Sequence, residues 1–474
     1  MLNKRYPNRT APTVRLTHRI VALALCALGA SALLSGCDTK KVLSVTDPDV
    51  ARPPALVGAT SLPAYRAGAV GDFGNAYNGG NADVEQVHAA GLLTDEFMNT
   101  ETFPTRIEID QRAISLTNTS LNTTYYDLQR SRVSSERAAA AYAQFAKSAA
   151  DSAGIGEVLA LGGMTFVLFA ENYCGNVPLS TQAPDGTVTF GPALTKAQLL
   201  DSAVSKFNQA LATSPPTSIK NLASVGLGRA KLDQGDFPGA AAAVAGIPAN
   251  FQYLYVHDAT TGRQNNATWA LTVSVARFGE ANLEGGNGLP FQSDGDVKTN
   301  PAPDRRVADS LRGGSHRGFD NTTNQWIQMK YPDRSSAIVV ADGVEAQLII
   351  AESQLKGGDP VAALATLNAL RSNASVITVR GLPGALAPLT LQPTGAGQEN
   401  QLFKERAYWL YLTSHRLGDM RRLITQYGRG AETVFPTGVY FKGGNYGTDV
   451  NLPVPFSEQN NPNYDPSACV QSKA

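Results

Sequence analysis

The sequence predicts a mainly α fold: a frame of helix hairpins carrying long irregular loops and a few short strands. Three observations predict it. Stretches 81–98, 121–150 and 155–172 are rich in Ala and poor in Pro, as helices are. Segments 219–247 and 343–372 repeat one pattern of small residues around a glycine turn. Segments 248–335, 373–400 and 428–474 are instead rich in turn residues. Composition narrows the class further. Hydrophobic residues make up 43% of 474, enough to bury a core and to exclude wholesale disorder. The chain has 40 basic and 40 acidic residues, so the strongly basic signature of a nucleic-acid binder is absent. Four cysteines exclude a disulfide-dense scaffold.

The N-terminus sets the compartment. Lys4, Arg5, Arg9, Arg15 and Arg19 precede any acid, and an apolar run of 15 residues follows from Ile20 to Leu34. That run is short for a membrane span of about 20 residues. A basic head, a short apolar stretch and small residues make an export signal. Leu34-Ser35-Gly36-Cys37 also resembles the bacterial lipobox, whose cysteine is lipidated and becomes the first mature residue; an ordinary signal with an incidental cysteine is the alternative. The expected organisation is a lipoprotein signal peptide over 1–36, a tether over 37–58 rich in Pro, and a single domain over 59–474, its ligand-binding loops at about 248–335. Residues 1–36 hold five basic side chains and no acid, so the mature chain has 35 basic residues against 40 acidic, a net charge of about −5. Cys26 leaves with the signal and Cys37 takes lipid, leaving Cys174 and Cys469. In an exported protein these two form either a disulfide closing a long loop, valued at roughly 4–5 kcal/mol by the chain-entropy model, or two free thiols.

Along the mature chain, Thr195 is placed to cap a helix through Leu211 with Leu199, Leu200, Val204, Phe207 and Leu211 on one stripe. In hairpin 219–247, Gly235 follows Gly228 by seven residues and Ala240 comes five later. In hairpin 343–372, Gly358 follows Ala351 by seven and Ala363 comes five later. Asp236 and Asp359 come next as natural N-caps, with Pro238 and Pro360 in the following first turn. This is the tetratricopeptide pattern, with Lys231 and Gln354 where its aromatic would stand. One long helix is expected over 399–427, and strand-like pieces at 269–277 and 325–331.

No constellation for catalysis emerges. The five histidines are scattered, with no His-Glu-x-x-His pair, so neither a zinc site nor another metal or cofactor site is expected. Asp294-Gly295-Asp296 lacks the following glutamate of a calcium loop. Gly313-Gly314-Ser315-His316-Arg317-Gly318 misses the spacing of a nucleophile elbow. Aromatic side chains are the natural alternative, because their faces stack on sugar rings or hold apolar ligand groups. Of three tryptophans, Trp409 falls inside the long helix and reads as core. Trp269 and Trp326 lie in or beside the Asn/Gly-rich region, Tyr77 in a loop expected over 72–81, and Tyr331 follows Trp326 by five; these four are the candidate ligand contacts.

The C-terminal third carries a family resemblance. Glu405-Arg406, Leu410, Arg416, Asp419 and Arg422 stand at the spacing of the signature helix of the RagB/SusD family of outer-membrane nutrient-binding lipoproteins. Arg416 and Asp419 are i,i+3 neighbours on one face, so an ion pair between them is expected. The sequence departs from the family at Trp409 and at Thr413-Ser414. Hairpin 343–372, with Glu345 and Glu352, resembles the helix pair upstream of the signature. Tyr173-Cys174-Gly175-Asn176-Val177-Pro178-Leu179 resembles the family's Gly-Asp-Val-Pro-Leu turn, and Leu194-Thr195 the helix start after it. Asp304, Arg305 and Arg306 resemble its Asp-x-Arg turn. Leu452-Pro453-Val454-Pro455, Glu458 and Asn461-Pro462-Asn463 resemble its closing signature. The resemblance implies a non-catalytic surface lipoprotein with four tetratricopeptide-like helix pairs. It would sit as a lid on a SusC-type TonB-dependent barrel and deliver an oligosaccharide or peptide to it. It implies an outer-membrane location facing the cell exterior, although Asp38 after Cys37 is a retention signal in some Gram-negative bacteria. Family ligand residues fall in variable loops, so it assigns no contact here. An envelope scaffold of tetratricopeptide type without a small ligand, and a surface hydrolase, are the competing readings.

Overall fold

The computed structural model describes residues 57–148, 151–183 and 187–474. The signal segment, Cys37 and the tether as far as Leu56 lie outside the described residues. The helices of six or more residues are α1 Leu62–Asn78, α2 Gln86–Leu93, α3 Pro104–Asp110, α4 Thr119–Phe145, α5 Asp151–Asn172, α6 Lys196–Ala212, α7 Thr217–Asp233, α8 Phe237–Val244, α9 Gly343–Lys356, α10 Pro360–Ser372, α11 Ala374–Val379, α12 Gly395–Trp409 and α13 Arg416–Thr425. The frame is built in chain order: α4 lies on α1 and α5, α5 on α6, α7 on α6 and α8, α8 on α9, and α9 on α10 and α12. Helix α5 is apolar and long enough for a membrane span, with mean hydropathy 1.7 over Ala153–Asn172, but 89% of that stretch is buried inside the protein. It is a core helix, packed against α1, α2, α4, α6, α7 and α13.

The hairpin chemistry read from sequence is present. The Asp236 carboxylate accepts from Gly239 N at 2.9 Å and the Asp359 carboxylate from Ala362 N at 2.9 Å. Gly235 and Gly358 take φ values of 78° and 84°, which a Cβ would disfavour. Thr195 and Gln198 form a reciprocal capping box at the start of α6, and Leu199, Leu200 and Phe207 are buried.

Four local expectations are corrected. The helix expected over 81–98 is shorter, because Glu85 and His88 cap it at α2 and Phe97–Asn99 then pairs as a strand with Phe278–Glu280. The strand expected over 269–277 is helical instead. Asn266 Oδ1 accepts from Trp269 N at 3.0 Å and starts a helical turn that runs on to Ser274. Residues 326–328 do form a strand, paired with Asp309–Leu311. Antiparallel pairing of Gln252–Tyr255 with Ile338–Asp342 ties the excursion 248–335 to the start of α9. The single helix expected over 399–427 is two, because the backbone turns left-handed at Leu412 (φ 54°) and Ser414 (φ 58°). Finally, Arg416 does not pair with Asp419. Its guanidinium binds Asp95 through two bonds of 2.7 and 2.8 Å, and Asp419 turns to other arginines.

The break between α12 and α13 organises the interior. A helix end leaves carbonyls without partners, and here four successive ones are taken by side chains from distant segments. Lys330 donates to Tyr411 O, and Tyr331 Oη to Leu412 O at 3.2 Å. Tyr77 Oη donates to Thr413 O at 2.8 Å and Arg229 Nη2 to Ser414 O at 2.9 Å. Beside the break runs a buried lattice of ion pairs. Asp419 accepts from Arg406 at 2.8 and 2.9 Å and from Arg422 at 2.6 Å. Arg422 also pairs with Glu352 of α9 and with Asp233 of α7. Arg229 pairs with Glu171 of α5, and Glu405 with Arg306 and Arg371. Burial alone would raise the Asp419 carboxyl, but the guanidiniums of Arg406 and Arg422 outweigh it and hold the group well below the usual carboxylate range. Asp419→Asn leaves two buried cations undercompensated, and unfolding in urea is expected to show a loss of about 3–5 kcal/mol; a loss below about 1 kcal/mol would show that the lattice is not structural.

Candidate ligand-binding cleft

The irregular excursions meet around a cleft of about 450 Å³, within the usual range of ligand sites. Trp326, half-buried, faces it from the strand paired with Asp309–Leu311. Phe441 and Tyr446 reach it from a turn closed by Tyr440 N donating to Gly444 O at 3.0 Å. Leu283, 54% exposed, stands on its rim with φ 50°, a left-handed conformation rare for a leucine. The neighbouring Gly285 is needed for contact, since a Cβ there would lie 2.2 Å from Thr437 N. That contact brings loop 281–288 against the segment carrying Phe441. Asn282, Gln292 and Asn324 add amide groups to the lining. Phe441 also borders a neighbouring concavity of about 730 Å³ with Asp320 and Lys442. The arrangement offers aromatic faces and amides on one concave surface, suited to stacking and hydrogen bonding with a polar ring.

Beneath the cleft lies a buried acid pair. Glu284 lines it and accepts from Tyr446 Oη at 2.8 Å; Asp110 accepts from Tyr440 Oη at 2.6 Å and from Asn99 N at 3.0 Å. Glu284 Oε2 and Asp110 Oδ1 are buried without a hydrogen-bond partner, and the two carboxyls perturb each other's ionisation. Burial pushes Asp110 up to about 7 and, with the charge of Asp110 added, pushes Glu284 well above the carboxylate range. At neutral pH the pair holds a proton, and it fixes both tyrosine-bearing ends of the 440–446 turn.

Of the four aromatic candidates, the structure places only Trp326 in this cleft. Trp269 is half-buried elsewhere, under the Arg334 guanidinium 5.2 Å from its ring centre. Tyr77 and Tyr331 are each 2% exposed. Tyr77 belongs to α1, not to a loop, and both hydroxyls hold the carbonyls of the helix break; no ligand reaches either ring. Sequence reasoning passed over Phe441 and Tyr446, although Tyr440-Phe441-Lys442-Gly443-Gly444-Asn445-Tyr446 sets three aromatics around a glycine turn. Cys174 and Cys469 are joined by a disulfide with Cα atoms 5.0 Å apart, closing the C-terminal segment onto the end of α5.

The helix-hairpin frame is shared by solved structures. A SusD superfamily protein from Parabacteroides distasonis matches with a TM-score of 0.61 at 12% identity, over 85% of this chain and 98% of its own. A SusD-like carbohydrate binding protein from Bacteroides fragilis matches with a TM-score of 0.59 at 17% identity, over 86% and 99%. A SusD/RagB family protein from Bacteroides thetaiotaomicron matches with a TM-score of 0.56 at 14% identity, over 84% and 94%. No family model and no curated protein matches the chain. The chain has the SusD-like fold, the fold that the resemblance of its signature helix implied.

The acid pair makes the cleft pH-sensitive in a definite direction. Both folded-state pKa values are raised, so between about pH 4 and 7 the folded chain keeps protons that the unfolded chain has released, and stability from this pair falls as pH rises. Glu284→Gln keeps the Tyr446 hydrogen bond and removes the pair. Its melting temperature relative to wild type is expected to rise steadily from pH 5 to pH 8; a constant difference would contradict the shared proton.

Proposed function

We propose that this chain is a RagB/SusD-family surface lipoprotein that captures an oligosaccharide in the Trp326–Phe441–Tyr446 cleft and delivers it to a SusC-type TonB-dependent barrel. The observation that carries this reading is the convergence of solvent-accessible aromatic side chains, one exposed and two half-buried, and amide side chains on one concavity of a SusD-like fold. A similar fold in a carbohydrate binding protein supports a sugar over a peptide. The lipobox ending at Cys37 supports anchoring by acyl chains, each buried methylene contributing roughly 0.8 kcal/mol. Capture and hand-over need no covalent chemistry, consistent with a chain whose acid pair is engaged in holding a turn.

Binding of malto-, xylo- and chito-oligosaccharides and of short peptides to the mature protein tests the reading. At least one oligosaccharide is expected to bind, with Trp326→Ala and Phe441→Ala each weakening it about tenfold, or about 1.4 kcal/mol, at unchanged melting temperature. Peptides alone binding, or an oligosaccharide indifferent to both substitutions, would overturn the assignment of the cleft. Co-purification with a large barrel from outer-membrane extracts is expected; recovery as a free monomer would count against the delivery role and for the scaffold.

A further inference from the structure

A second pocket, of about 320 Å³, is formed between the excursion and the segments at 380–383 and 408–409, shares no lining residue with the cleft and carries a different chemistry. Its charged lining residues are Arg305, Arg306, Lys330 and Arg380, with no carboxylate among the lining residues; Met329 and Pro383 add apolar contact. The acids paired with these cations are not among the pocket's lining residues. Arg306 is fully engaged by Asp304 and Glu405, and Glu405 is shared with Arg371. Arg380 pairs with the buried Asp342 through Nη2, while its buried Nε has no partner. Lys330 donates to Tyr411 O, which leaves donor capacity on its ammonium. The nearby Glu96 is pushed up to about 8 by burial and gives little compensating charge at neutral pH. Arg305 is exposed and has no ion-pair partner among the described residues. Asp304, Glu405 and Asp342 offset Arg306, Arg371 and Arg380, so the excess positive charge comes from the exposed Arg305 and from Lys330 when it is protonated.

We propose that this pocket is an oxyanion site, in which Arg305, Lys330 and Arg380 bind the carboxylate or phosphate of a small acidic molecule such as a sugar acid. Guanidinium forks match the paired oxygens of such groups, and the volume admits a ligand of about monosaccharide size. Burial and the neighbouring Arg380 push Lys330 down to about 7. A bound anion favours its charged form, so binding near pH 7.5 takes up protons.

Calorimetric titration of the full mature protein with glucuronate, glucose 6-phosphate and glucose tests this. One or both acids are expected to bind at least tenfold tighter than glucose, and which acid does so identifies carboxylate or phosphate as the source. Arg305→Gln, at an exposed position without an internal partner, is expected to weaken that acid about fivefold. Lys330→Met is expected to weaken it further and to abolish the proton uptake seen between buffers of different ionisation heat. Trp326→Ala is expected to leave it unchanged, which separates this site from the oligosaccharide cleft. Equal binding of acids and glucose, no binding of any, or an Arg305→Gln protein matching wild type would overturn it.

Discussion

A six-residue break in one helix constrains the whole interior. Between α12 and α13 the chain leaves helical geometry inside the core, where an unpaired carbonyl is expensive. Lys330, Tyr331, Tyr77 and Arg229 answer it from the excursion, from α1 and from α7. Immediately beside it, the Asp419-centred lattice joins α7, α9, α12 and α13 through charges that cannot be left alone once buried. The two sets together make helix packing and loop placement one cooperative event. Removing a member leaves a buried charge or carbonyl without a partner.

That constraint is what allows irregular backbone to carry a site. The excursion is held by short ladders to Phe97–Asn99 and to the segment before α9, and by Lys330 and Tyr331 at the break. Loop 281–288 and turn 440–446 are then locked on each other by the close approach at Gly285 and by the Tyr446–Glu284 hydrogen bond, while Tyr440 ties the turn to Asp110 of α3. A rigid frame with pinned loops keeps Trp326, Phe441 and Tyr446 facing one cavity without the ordering entropy that a mobile loop would lose on binding.

Much of the frame was legible because its signals are local. Turn glycines, Asp caps and the Thr195–Gln198 box act within a few residues, and they specify the hairpins wherever they occur. The break was not legible, since Leu412 and Ser414 are neither Gly nor Pro and their left-handed turns are sustained by partners more than eighty residues away. For the same reason Arg416 and Asp419 looked like partners by spacing, while tertiary packing gives them to Asp95 and to Arg406 and Arg422. Of the residues lining the candidate cleft, Trp326 was singled out in the sequence by its setting among polar residues. Tyr77 and Tyr331 misled because a buried tyrosine and a binding tyrosine read alike until a carbonyl is found at the hydroxyl. Phe441 and Tyr446 were hidden in a C-terminal stretch whose approach to loop 281–288 no local pattern announces.

The proposed capture site lies where loop 281–288, the strand at 326–328 and turn 440–446 meet. Amide hydrogen exchange of the mature protein, with and without a bound oligosaccharide, reads this directly. Slowed exchange is expected at these three segments, separated in sequence and joined only in the fold, with the α6–α8 surface unchanged. Slowed exchange along α6–α8 with these segments unaffected would contradict it.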